Sequence, residues 1–399
     1  MFDKRKSLKI PFLFKGKPKE TFPLNRLPLI VRNQVIRSLK HKDCINLSMA
    51  SKKAAETVRI ARIKTTIPKI DIKSSASIKL WGGNMVLYQS QKWKNKKGKE
   101  IMKPKELKKW TNQSNNSVVE KTAKVYNEIQ SLFRFNNCFS LYLSSGYKKV
   151  ATLEEILNDP IIKNNCILYY YKKKKTSAEE LKVILDTASF DKSFTCYVKH
   201  VPIDFEHENA FKFGNIYYLD ARWMKIENLY GMNSCGDVTL CRTNFTQPEI
   251  KAFVNHWVNS DIEMFLSLEI LSTEPFEATE IFDWPTVLHI GNSSICFAMS
   301  KTSETRKKTL LSICKAGSSG IMLSAWAPGE YRSGVHPTFD EIIRDTKIEF
   351  DLLMEKERLK TKWDSSEELK QVYDKLKDRG VIFINGRATM ELESRFQKL

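Results

Sequence analysis

Histidine and cysteine are the residues of this chain whose chemistry could build a metal centre or a nucleophile, and their spacing favours neither. The six histidines (His41, His200, His207, His256, His289 and His336) contain no H-E-x-x-H arrangement, and His200 with His207 lacks cysteine or acidic companions at ligand spacing. The eight cysteines (44, 138, 166, 196, 235, 241, 296 and 314) form no C-x-x-C pair and are irregularly spaced. They read as reduced, buried thiols of a cytosolic or nuclear protein, not as a disulfide framework. A reactive thiolate needs a neighbouring cation, which leaves Cys314 beside Lys315 as the pair to consider. No G-x-S-x-G, G-x-G-x-x-G or Walker A pattern occurs, and Gly317-Ser-Ser-Gly320 is too short to cradle a phosphate. The expectation is a chain with no catalytic residue, cofactor or metal, whose work is binding.

The elements that would do that work begin at residue 22. Leu27-Pro28 places proline in the first turn of a helix, where its missing N–H costs nothing. Val31, Val35, Ile36 and Leu39 follow on one apolar face, and the stretch from Lys40 to Asp43 interrupts it. Asp43 is expected to cap a second helix carrying Ile45, Leu47, Met49 and Ala50, and a third amphipathic turn ends at Val58 and Ile60. So small a bundle cannot bury its own apolar surface and needs a partner or an adjoining domain to cover it.

Charge is concentrated in the same third of the chain. Residues 1–120 hold 29 Lys/Arg against 8 Asp/Glu, whereas the remainder holds 37 against 38. The overall net charge of +20 is therefore local. It includes the basic tail 1–21 and the lysine-rich run 92–110 between Trp93 and Trp110. No nucleic-acid recognition motif accompanies it, so the bias is electrostatic without base readout. The first residues lack an uninterrupted apolar stretch and a small-residue cleavage site, and no 18-residue apolar window occurs. A secreted or membrane-spanning protein is not expected.

From 22 to 63 the chain resembles an F-box, on Leu27-Pro28, Val31, Val35, Ile36, Leu39, Asp43, Ile45, Leu47 and Ser51. That resemblance implies that Leu27, Pro28, Val31, Val35, Ile36, Leu39, Ile45 and Leu47 contact the S-phase kinase-associated adaptor of a cullin-RING ubiquitin ligase and, through it, cullin.

Further along, Val238 and Leu240 alternate with Thr239 and Cys241 as a strand, and Thr246-Gln-Pro-Glu249 forms a capping box. Ile250, Phe253, Val254 and Trp257 then recur at helical spacing, and Phe265, Leu266, Leu268 and Ile270 begin another strand. The segment 216–270 is similar to the F-box-associated type 2 domain of nematode proteins. Strand, helix and strand within so short a span make a βα unit resembling a leucine-rich repeat, for which parallel pairing is expected. Further strands are read at 78–80, 86–88, 139–143, 166–171, 194–198 and 215–219. Helices are read at 118–132, 152–157 and 177–187, with a capping box at Ser177-Glu180.

Beyond residue 285 the reading is of turns at 317–320 and 327–331, then a helix capped by Thr338-Phe-Asp-Glu341 and a second one starting at Ser365. Gly380 ends the latter at a C′ position, and Val381-Ile-Phe-Ile384 reads as a buried strand.

The fold class expected is α+β: a three-helix F-box (22–63) followed by a mixed sheet with helices on one side. Residues 64–75 are read as the exit from the first module, 76–285 as the F-box-associated domain and 286–399 as an α/β extension. The expected function is substrate recognition for a cullin-RING ligase: adaptor docked at one end, a protein target held at the other, no covalent step on this chain. The alternative is a basic RNA- or chromatin-associated protein acting through residues 1–120. Either belongs in the cytoplasm or nucleus.

Overall fold

Three short helices come first in the computed structural model, which describes residues 24–390 apart from 74, 81–82, 90–99, 103–105, 112–116, 145, 150, 173–175, 274–286, 291–294, 301–305, 318, 328–329, 331–346 and 363–364. The tail 1–21, Trp93 with most of its lysine run, and the cap expected at Thr338 lie outside the described residues. The helices are α1 (Leu29–Ser38), α2 (His41–Ala50) and α3 (Lys52–Ile60). Pro28 stands at the N-cap position of α1, one residue ahead of the first turn. α2 starts at His41 behind Lys40, so Asp43 is in the first turn and not at the cap. There its charge still faces the positive end of the helix. Ser51 caps α3 by accepting the Ala54 N–H at 3.1 Å.

The strands follow as β1 (Ile63–Lys64), β2 (Lys69–Ile72), β3 (Ser75–Leu80), β4 (Gly83–Gln89) and β5 (Glu100–Met102). After α4 (Val118–Leu132) come β6 (Phe133–Arg134) and β7 (Phe139–Ser144), then α5 (Leu153–Leu157), α6 (Pro160–Asn165) and β8 (Cys166–Lys172). Next are α7 (Ala178–Thr187), β9 (Ser193–Val198), β10 (Asn215–Tyr218), α8 (Ile226–Tyr230), β11 (Cys235–Thr243), α9 (Gln247–Asn259) and β12 (Phe265–Ser272). The remainder is β13 (Leu288–Ile290), β14 (Ile295–Met299), β15 (Leu310–Ala316), β16 (Gly320–Trp326), α10 (Lys347–Lys360), α11 (Ser366–Asp378), β17 (Val381–Ile384) and β18 (Arg387–Met390).

All but β1 and β6 belong to one mixed sheet of 16 strands. β7 to β12 lie side by side in chain order, every pair parallel, and β2 joins β7 in the same sense. Antiparallel β3 and β4 extend one edge, and β16, β15, β14 and β13 extend the other. β18 pairs parallel with β13, and β17 closes that edge. The exit segment 64–75 thus contributes β2 to the sheet, and the residues after 286 continue the same sheet. β1 and β6 form a separate parallel pair at the seam between α3 and α4.

Capping chemistry sets several helix starts. Thr152 with Glu155 and Thr246 with Glu249 form reciprocal boxes at α5 and α9. Ser177 caps α7, but the Glu180 carboxylate turns inward instead of returning to the cap backbone. Gly380 takes a φ of 79° after α11, as a C′ glycine does. The strand behind it is an edge, not a buried strand: Val381 is covered, while Ile384 is 48% exposed.

Helices cover both faces, which corrects the one-sided expectation. Leu268 and Ile270 of β12 pair with Leu323 and Ile321 of β16, and these alternate residues join the core beneath α4–α9. Residues of the other parity, Phe297, Leu310 and Trp326, form a second core with Phe350 and Leu353 of α10 and Val372 and Leu376 of α11. Successive residues of a strand point to opposite faces, so α10 and α11 pack on the side away from α4–α9. β14 to β16 are apolar on both faces and need both layers.

Candidate binding faces

The residues expected to dock an adaptor divide into two sets. Ile36 and Ile45 are 0% and 2% exposed and pack in the main core, with half-buried Leu39 and Leu47 against it. They hold the module to the sheet. Val35 and Leu27 are half-buried, whereas Pro28 and Val31 are exposed. Between them Leu29 and Ile30 are 51% and 73% exposed. The sequence reading did not name these two. They follow from the helix starting at residue 29, which puts its first turn beyond the packed part of the module. Pro28 to Val31 is therefore a continuous apolar surface at the tip of α1.

A second surface was not anticipated. Parallel register aligns Asp71, Tyr142, Tyr169, Thr195, Tyr217, Thr239 and Glu269 as successive partners across seven strands. Tyr171 and Tyr197 form the next row. These side chains alternate with the buried Leu141, Leu168, Phe194, Ile216, Val238 and Leu268, so they occupy the face away from α4–α9. The rings stack on one another. Tyr142 and Tyr169 are 4.6 Å apart at 8°, Tyr171 and Tyr197 are 4.6 Å apart at 17°, and Tyr197 and Tyr217 are 5.0 Å apart at 43°. Lys69 lies 5.9 Å from the Tyr142 ring, and Cys241 donates weakly to the Tyr217 hydroxyl at 3.6 Å.

Burial pushes the Tyr171 phenol up to about 12, with the neighbouring tyrosines adding to it, and raises those of Tyr142, Tyr169 and Tyr217. At neutral pH the row is a set of neutral hydroxyls on rings whose flat sides largely face each other. One end of the face carries Asp71 with Lys73 at 3.3 Å and with Lys79, and the other carries Glu269, which accepts from Thr239 at 3.4 Å. Such a surface suits an extended polar and aromatic partner. The signal was the alternation of Tyr169 and Tyr171 with Leu168 and Tyr170, but only the pairing of distant strands turns it into a face.

Beneath β8, on the helix side, the Glu180 carboxylate is gripped by Lys172, by Lys148 at 3.0 Å, by Tyr170 at 2.9 Å and by Tyr147 at 3.1 Å. Burial disfavours its charge, but the lysine and tyrosine hydrogen bonds outweigh that and draw its pKa down to about 2. The cluster pins α7 to β8 and so fixes the strand that carries two of the tyrosines.

Elsewhere the reactive groups are occupied or masked. Burial pushes the Cys314 thiol up to about 11, which removes the reason to read Cys314-Lys315 as a nucleophile. The same cause raises Cys44, Cys166 and Cys196 to about 12. His200 lies 3.3 Å from Arg222, and His207 lies 3.1 Å from Asp186. His256 is half-buried against Tyr230, with ring centroids 4.5 Å apart. Among the described residues no three His, Cys, Asp or Glu side chains gather as a metal site, and no helix is long and apolar enough to cross a membrane.

No protein family, curated protein or solved structure matches this chain.

Proposed function

We propose that the chain is a receptor subunit: α1–α3 docks on an adaptor in the manner of an F-box on the S-phase kinase-associated adaptor of a cullin-RING ligase, and the tyrosine-lined face holds a protein target. The observation carrying this reading is the exposed run Pro28–Val31 on a module whose other large apolar residues, Ile60 at the end of α3 apart, are covered or half-buried. Among the described residues such a run has no role in packing, and it suits insertion into a partner. The parallel βα units, resembling leucine-rich repeats and carrying a half-exposed tyrosine face away from α4–α9, suit the second half of the task. The chain then contributes proximity, raising the concentration of target lysines at the conjugating enzyme.

Leu29→Asp with Ile30→Asp is expected to weaken binding to the purified adaptor at least tenfold. Losing about 1.5 kcal/mol or more per buried apolar side chain is sufficient for that. Because both residues are exposed, the melting temperature of the variant should match the parent chain. Adaptor binding at the parental level in a calorimetric titration would remove the docking assignment.

A further inference from the structure

Five cations converge at the seam where α3 meets the β1–β6 pair. Arg59, Arg62 and Arg134 line a cavity of about 460 Å³ over Leu132, Phe133 and Phe135. An adjoining cavity of about 570 Å³ is bounded by Arg37, Arg62, Ile63, Lys64 and Arg134. Arg62 and Arg134 belong to both, so the hollows are continuous neighbours. Their sizes fall in the range of small-molecule sites, roughly 300–1,000 Å³.

The charge here is nearly unopposed. Among the described residues the carboxylate paired with any of the five is Glu56, on Arg59 at 3.3 Å and exposed. Arg37 donates its Nε–H to the Ala61 carbonyl at 2.7 Å, which fixes its stem without neutralising it. Lys64 and Arg134 are direct register partners in β1 and β6. Like charges set opposite each other destabilise a strand pair, so the fold carries a local repulsion that an anion would relieve. Arg62, on the shared wall, has a φ of 49°, a left-handed conformation that costs a non-glycine residue on the order of 1 kcal/mol. Repulsion and backbone strain at one spot mark a site shaped for something other than stability.

Four of the five cations are arginines, whose planar forks engage phosphate oxygens in pairs. We infer that this seam binds a small molecule carrying two or more phosphates, one seated by Arg59, Arg62 and Arg134 and the next by Arg37, Lys64 and the shared arginines. A nucleic-acid strand would need a continuing basic track with exposed aromatic faces for its bases. The cations here instead surround two adjoining hollows, and the tyrosine rings on the sheet are stacked on each other.

Tripolyphosphate titrated into the full chain by calorimetry tests this. Tripolyphosphate is expected to bind at least tenfold more tightly than orthophosphate, because two hollows are filled instead of one. Arg62→Gln and Arg134→Gln should each weaken it about tenfold, and their combination should abolish it, while Lys182→Gln, an exposed helical control, leaves it unchanged. The ligand-free double variant should melt at or above the parental temperature, since repulsion is removed. Should that variant not fold, the ratio of tripolyphosphate to orthophosphate affinity in the parent chain decides. Equal affinities, no binding, unchanged affinity in the double variant, or a single-stranded RNA bound more tightly than tripolyphosphate would each overturn the assignment.

Discussion

Replacing Trp257 by alanine is expected to destabilise the chain by about 3–5 kcal/mol, read as a fall in the urea midpoint at unchanged slope. Trp257 is fully buried on α9, within the packing of Phe253, Val254 and Ile250. Its ring is also the platform for Arg306, whose guanidinium lies 3.9 Å from the centroid. Arg306 is 4% exposed and donates to the carbonyls of Trp257 at 2.7 Å and Ser260 at 3.1 Å, closing the C-terminal end of α9. Its Nε and Nη2 have no hydrogen-bond partner among the described residues, so the indole face, together with the nearby Glu263 and Asp261 charges, offsets their burial. Alanine removes the packing and strands that charge together. Trp257→Phe should cost only about 1–2 kcal/mol, because the indole N–H has no partner among the described residues and a phenyl ring keeps most of the platform. Equal losses for the two variants would show that Arg306 does not depend on the ring.

Glu180→Ala is expected to have a comparable effect, about 3–5 kcal/mol, since it takes one anion from a buried cluster and leaves its partners behind. Lys172, with a side chain 22% exposed, and the Tyr147 hydroxyl lose their acceptor, while the Tyr170 and Thr176 hydroxyls are left with each other at 3.1 Å and with the Ser177 carbonyl at 3.4 Å. Leucine at this position should not rescue, because the stranded cation remains. The same cluster sets a pH dependence. The folded carboxyl titrates near 2 against an ordinary value of 4.5, so the unfolded chain takes up the proton first. The stabilisation is complete above about pH 4.5 and is lost as pH falls toward 2, with a full span on the order of 3 kcal/mol. Stability measured from pH 6 to pH 3 should therefore decline more steeply in the parent chain than in Glu180→Gln. Parallel curves would mean that Glu180 carries no special interaction in the folded state.

Local signals in the sequence led to correct local structure. The Thr246-Glu249 box with its apolar helix, the strands on either side of it and their parallel pairing are all present. Each of those rests on residues within one turn or one strand. What escaped depended on pairing between distant segments. β2 lies in a stretch rich in lysine and threonine that resembles a linker, and it becomes a strand because β3 and β7 flank it. The expectation of helices on one side fails for α10 and α11, because the side is a matter of strand parity that only register settles. Ser177 and Glu180 match a capping box, yet two lysines and two tyrosines from outside the helix compete for the carboxylate and win. Charge mapping found the basic third of the chain but not the seam, because Arg37, Arg62 and Arg134 meet only after β1 and β6 pair.

The order of strands in the sheet also bears on how the chain is made. β8 to β12 each pair with the strand synthesised just before, so this part can be laid down behind the ribosome with contacts short in sequence, once β7 has joined β2. The far edge cannot. Leu288 of β13 waits for Ala388 of β18, a hundred residues later, and the apolar second face of β14–β16 stays uncovered until α10 and α11 have been made. A nascent chain stalled in that interval exposes strand edges and uncovered leucines together, and this is where a chaperone would hold it or where aggregation would begin.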